Sequence, residues 1–266
     1  MGALGRLSTH GIDLEVLRSG AGHPVLLLHG MTPLDPAAPV VERLSAHAEI
    51  VAPTHPGFGG SPRPDDFDTV YDLVHLYCDV LHHLPHETVT LLGLSFGGWL
   101  AAEIAALGHP RVGALVLVDA VGIKVSDRET PDILDVFNTA PAVVRQRTWH
   151  DPERWAPDYD AMSDEALVAH ARNRDALCRY AWDPYMYNPQ LARWLDRIAV
   201  PTLVLWGTSD RVVTPAYGRA YSERIPGARF ELIDAAGHHP HIEQPKAFVE
   251  RIVSFLEEER PCRPGT

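Results

Sequence analysis

A glycine-flanked serine between an apolar run and a helical run constrains this chain more than any other feature. Val89-Thr90-Leu91-Leu92 reads as a strand, Gly93-Leu94-Ser95-Phe96-Gly97-Gly98 follows it directly, and Trp99 to Leu107 reads as a helix. A serine on so sharp a strand-to-helix turn needs a strained backbone, and side chains two residues to either side would clash. Gly93 and Gly97 remove those clashes. The turn lifts the Ser95 hydroxyl clear of the sheet and turns the amide of Phe96 toward any oxyanion forming nearby. The bland alternative is a glycine-rich turn that only joins a strand to a helix.

The rest of the chain repeats the strand–helix alternation. Strands are expected at 13–18, 24–29, 50–53, 89–94, 114–118, 201–206 and 230–233, with helices at 40–46, 69–84, 99–107, 216–225 and 245–259. Runs such as Val25-Leu26-Leu27-Leu28 and Leu115-Val116-Leu117-Val118 are apolar on both faces. Strands of that kind belong in a mostly parallel sheet covered by helices on both sides. The alternation breaks between Lys124 and Arg197, where no strand is expected and where Trp149, Trp155, Trp182 and Trp194 fall. That stretch reads as a helical cap inserted before the last two strands. Ligands in such sheets bind at the carboxyl ends of the strands. The expected division is therefore a core of residues 1–123 and 198–260, a cap of 124–197 and a disordered tail at 261–266.

Two more polar clusters fall at strand ends. Gly207-Thr208-Ser209-Asp210-Arg211 follows the run at 201–206, and Ala236-Gly237-His238-His239-Pro240 follows that at 230–233. Serine, aspartate and histidine thus occur in the chain order Ser95, Asp210, His238. The chemistry calls for these three types. A serine hydroxyl needs a base, a neutral imidazole can take its proton and return it, and a carboxylate holds the imidazole in the right tautomer. Asp119, at the end of the run 115–118, competes for the acid position. His239 and His241 stand beside His238, and His-His-Pro-His has a second reading as a metal site. Proline there breaks helical ligand spacing and no carboxylate or cysteine pattern supports it, so no metal is expected.

The chain resembles the α/β-hydrolase superfamily over nearly its whole length. The resemblance rests on Leu27-Leu28-His29-Gly30, on Pro56-Gly57-Phe58-Gly59-Gly60-Ser61, on the Ser95 turn, on Trp206-Gly207-Thr208-Ser209-Asp210, and on Gly237-His238-His239-Pro240-His241-Ile242-Glu243. It implies an α/β-hydrolase fold and a catalytic triad of Ser95, Asp210 and His238. It also implies an oxyanion hole from the backbone N–H groups of Met31 and Phe96. His29 is expected to shape its loop and stands with the substrate-contacting candidates. Thr54-His55 stands where many members carry an aspartate, and a surface loop is the favoured reading of His55. Trp149, Trp182, Tyr185 and Tyr187 of the cap are expected to include substrate-contacting residues.

The resemblance further implies an acyl-enzyme route, because superfamily dehalogenases and epoxide hydrolases use aspartate where this chain has Ser95. A carboxylic ester of a small, partly apolar molecule leads. A carbon–carbon ring-cleavage hydrolase, a lactonase and a thioesterase are alternatives, and a small-molecule receptor is the reading from a different class. Ring-cleavage members usually carry tryptophan after the catalytic histidine and a glycine-rich oxyanion loop. This chain has His239 and Met31-Thr32-Pro33-Leu34 instead. No cofactor is expected.

Composition narrows the partners. With 23 basic against 35 acidic residues the net charge is −12, which suits neither nucleic acid nor an anionic membrane surface. No run approaches the roughly 20 apolar residues of a membrane span, and Met1–Gly20 lacks the apolar segment of a secretory signal. The three cysteines are scattered and odd in number, which suggests a cytoplasmic setting. Monomer and homodimer are both open.

Overall fold

The computed structural model describes residues 2–258; the tail expected at 261–266 lies outside them. Eight strands form one sheet: β1 (Ala3–Thr9), β2 (Ile12–Ser19), β3 (His23–Leu28), β4 (Ala48–Pro53), β5 (Val89–Leu94), β6 (Val112–Val118), β7 (Thr202–Gly207) and β8 (Arg229–Ile233). Their order across the sheet is β1-β2-β4-β3-β5-β6-β7-β8. From β4 to β8 every pairing is parallel, whereas β2 runs antiparallel to β1 and β4.

The doubly apolar strands bury both faces. Leu26, Leu28, Leu115 and Leu117 enter one core with helices α2 (Val70–His83), α3 (Phe96–Ala106) and α8 (Pro215–Ser222). Val25, Leu27, Val116 and Val118 enter the other, against α1 (Pro39–Ser45) and α10 (Pro245–Glu258). Alternation with period two sends successive side chains to opposite cores, so one strand serves both. Helix α3 is buried along its whole length, and its Gly97, Gly98, Ala101 and Ala102 let it lie close against the central strands. Helix α2 begins at a capping box, in which the Thr69 side chain and Asp72 each satisfy the other's backbone N–H.

Strand β1 has no counterpart among the expected strands. Its residues are mostly exposed, so the apolar pattern that marks a buried strand is missing. A hairpin turn at His10 and Gly11, with φ of 49° and 75°, pairs it to β2. Between β6 and β7 lie α4 (Pro141–Thr148), α5 (Pro152–Trp155), α6 (Asp164–Ala181) and α7 (Leu191–Trp194). A short helix α9 (Pro240–Glu243) follows β8.

Candidate active site

Ser95 sits between β5 and α3 at φ 49° and ψ −109°. Left-handed φ costs an L-residue about 1–2 kcal/mol, and the surroundings hold it there. Ser95 N–H donates to Val118 O on β6, and Ser95 O accepts from Gly98 N–H. The Ser95 hydroxyl donates to His238 Nε2 at 2.8 Å, and His238 Nδ1–H donates to Asp210 Oδ2 at 2.8 Å. The carboxylate can only accept, so the imidazole proton is on Nδ1 and Nε2 is free to receive one. Asp210 Oδ1 accepts from Val212 and Val213 N–H. The structure thus joins Ser95, His238 and Asp210 in one hydrogen-bonded line across three strand ends.

Asp119, the competing acid, is 0% exposed and lies behind Asp210. Its Oδ1 accepts from Gly207 N–H at 2.9 Å. Asp119, Asp210 and His238 bring one ligand atom each within 4.8 Å of one another. His238 turns its protonated Nδ1 to Asp210 and its one free lone pair, on Nε2, to Ser95. Among the described residues, the cluster of potential ligand atoms that includes His238 includes neither His239 nor His241. His239 meets His238 and His241 edge-on, and its ring centre lies 4.7 Å from that of Trp149.

Phe96 opens α3, and Met31 follows Gly30, whose Cα faces Ser95 closely enough that an added Cβ would lie 3.3 Å from the serine Cβ. Behind that loop the structure corrects the expectation for His55. It is buried completely rather than placed on a surface loop. His29 and His55 stack at 3.7 Å. His55 N–H donates to His29 Nε2, His55 Nε2–H donates to His29 O, and His29 Nδ1–H donates to Gly30 O. The Tyr77 hydroxyl donates to the remaining nitrogen of His55. Every ring nitrogen is satisfied with both imidazoles neutral, and the network pins the backbone that presents Met31. Nothing local in Thr54-His55 signals this, because each partner comes from a distant part of the chain.

Burial holds His55 down at about 4, and holds His29 and His239 well below the usual imidazole value for the same reason. His241 is held down to about 3. The folded chain refuses protons that the unfolded chain accepts near 6.5. The stability that these histidines contribute is therefore intact above pH 6.5 and is lost as pH falls toward 4, about 3 kcal/mol of it through His55 alone. Thermal unfolding followed from pH 7 to pH 4.5 is expected to show a steep fall in Tm below 6.5. A flat curve over that range contradicts it.

The segment between β6 and β7 is tied to the site along two edges. On one, His238 N–H donates to Thr148 O, Arg211 N–H to Arg147 O, and His150 pairs with Ser209 Oγ. Buried Glu243 accepts from the N–H groups of His150, Asp151 and Gly237, joining the insert to the loop that carries His238. On the other, Asn173 and Tyr180 of α6 bond the backbone at Gly59 and Pro56. The four aromatics singled out in this segment differ in placement. Trp149 is buried against His239. Tyr185 spends its hydroxyl on Leu134 O and Val136 N–H. Tyr187 bridges to Gly122 just beyond β6. Trp182 meets Phe137 and Tyr185 edge-on and leaves 52% of its surface exposed. Glu243 was singled out in the sequence only as part of a motif; its role in the insert is visible only in the fold.

A family model described as the alpha/beta hydrolase family matches residues 25–251. The chain is an α/β hydrolase. It is 31% identical to a 2-hydroxy-6-oxo-2,4-heptadienoate hydrolase of Pseudomonas putida, over 92% of this chain and 93% of that one. It is 28% identical to a poly(3-hydroxyalkanoate) depolymerase of Ectopseudomonas oleovorans, over 92% and 88%. Among solved structures it superposes on a membrane phospholipase A with a TM-score of 0.80 at 23% identity, covering 98% of this chain and 87% of that one. No helix among the described residues of this α/β hydrolase is long and apolar enough to cross a membrane.

Proposed function

We propose that this α/β hydrolase cleaves a carboxylic ester of a small, partly apolar molecule through an acyl-enzyme on Ser95. The Ser95–His238–Asp210 hydrogen-bonded line carries the reading. His238 takes the hydroxyl proton as Ser95 attacks the carbonyl, and the N–H groups of Met31 and Phe96 receive the oxyanion. His238 then protonates the departing alcohol and activates the water that releases the acid. Residues 124–197 act as the cap, and the aromatics Trp149, Trp182, Tyr185 and Tyr187 supply its apolar contacts. The scattered cysteines support a cytoplasmic setting.

A second reading, carbon–carbon hydrolysis of a ring-cleavage product, is supported by the 31% identity to the Pseudomonas putida dienoate hydrolase. A dienoate carries a carboxylate that calls for a cation. The arginines of α6 are spent elsewhere: Arg172 on Gly57 O and Ser61 O, Arg174 on Val136 O, and Arg179 beside Asp68. That commitment favours the ester. Initial rates on nitrophenyl esters of rising acyl length, a thioester and a 2-hydroxy-6-oxo-dienoate decide between them. Esters are expected to turn over at least tenfold faster in kcat/KM than the dienoate. The reverse order replaces the ester reading, and ligand binding without turnover of any member points to a receptor.

A further inference from the structure

The carboxyl group of Asp119 has a hydrogen-bonding deficit that the triad alone does not explain. Both residues are almost without exposure, Asp119 at 0% and Asp210 at 1%. Asp119 Oδ1 accepts from Gly207 N–H, but its Oδ2 is a buried oxygen with no donor facing it. The Asp210 carboxylate is its neighbour, an oxygen of each lying within 4.8 Å of the other. Two buried acceptors in contact repel unless a proton lies between them. The charge belongs on Asp210, which already receives His238 Nδ1–H and the amides of Val212 and Val213. Asp119 receives a single amide.

We propose that Asp119 is a neutral carboxylic acid whose O–H donates to Asp210, making it a positioning residue that holds and tempers the acid behind His238. Burial, and then the negative charge of Asp210, push the Asp119 carboxyl well above the usual carboxylate range. Ionisable groups face it from every side: Asp210 after β7, Glu243 on α9 and His238 after β8. Glu243 adds a second negative charge beside that of Asp210, which again disfavours ionisation of Asp119. With the O–H in place, part of the Asp210 charge is drawn away from the imidazole. Asp210 is also locked in the orientation that meets Nδ1.

The state of Asp119 decides the sign of three measurements. Asp119→Ala removes a neutral donor, leaves Asp210 more basic, and should move the acid limb of the kcat/KM–pH profile to higher pH. If Asp119 were ionised, the same substitution would remove a negative charge and move that limb to lower pH. Asp119→Asn keeps a donor toward Asp210 and should recover most of the kcat/KM that Asp119→Ala loses. This arm, run on p-nitrophenyl butyrate, rests on the serine-hydrolase reading; the other two do not. Stability supplies the second. A carboxyl raised above its unfolded value stabilises fully below about 3.8 and loses that contribution as pH rises toward its folded value. The Tm advantage of Asp119→Asn over the parent should therefore widen from pH 5 upward, and parallel Tm curves from pH 5 to 9 overturn the proposal. Third, the infrared carbonyl band of a neutral carboxyl should be present at pH 8 and vanish in Asp119→Asn. Its absence from the parent, or a stoichiometric divalent ion bound between the two aspartates, also overturns it.

Discussion

Replacing Ser95 by alanine is expected to lower kcat/KM on the preferred ester by about a million-fold, equivalent to about 8 kcal/mol of transition-state stabilisation. The loss is large because the hydroxyl is the group that forms the covalent bond, and no neighbouring side chain can replace it. His238 Nε2 is bonded to the Ser95 hydroxyl. His238→Ala should cost a similar factor, and the double variant should cost no more than either single one, since the two groups act as a unit. Asp210→Asn should cost less, about 10⁴-fold, because it disturbs tautomer and orientation while the nucleophile stays. Alanine keeps the Cβ of Ser95, so Tm should move little and loss of activity can be separated from loss of fold. Residual turnover within tenfold of the parent would mean that Ser95 is not the nucleophile.

The second large effect is structural. Gly97→Ala is expected to destabilise the protein by about 3–4 kcal/mol, or roughly 10 °C in Tm. In an unobstructed helix interior the same change stabilises by up to about 1 kcal/mol. Here an added Cβ would lie 2.0 Å from Leu28 O, 2.4 Å from Leu28 C and 2.6 Å from His29 O. All three are backbone atoms at the end of β3, and none can rotate away. The strand end must shift, and with it the His29–Gly30–Met31 loop that presents an amide beside Ser95. Activity should therefore fall further than stability. Gly5→Ala on β1, whose nearest atom would be 3.9 Å away, is the control and should stay within about 0.5 kcal/mol of the parent. Equal Tm for both variants would show that α3 is not seated against β3 as described.

The features most legible in the sequence are those encoded within a few residues. Gly93 and Gly97 around Ser95 are read locally because the clashes they avoid are local. The apolar runs of β3, β5 and β6 announce a strand buried on both faces by themselves. Asp210 and His238 each follow a recognisable strand end, so their chain order carries information even without coordinates. Strand β1 is the counter-example. With its residues mostly exposed it carries no burial pattern, and it exists because β2 offers it an open edge.

The sequence alone therefore determined the kind of fold, the strained serine turn and the three residue types that meet there. Only the tertiary structure decided which groups support them. His55 became a buried brace because His29 and Tyr77, 26 and 22 residues away, converge on it. Asp119 and Asp210 became neighbours because β6 and β7 pair in register. Glu243 reached His150 across 93 residues. Steric rules act between adjacent residues and can be read along the chain, whereas a buried polar atom takes whichever partner the packed fold brings to it.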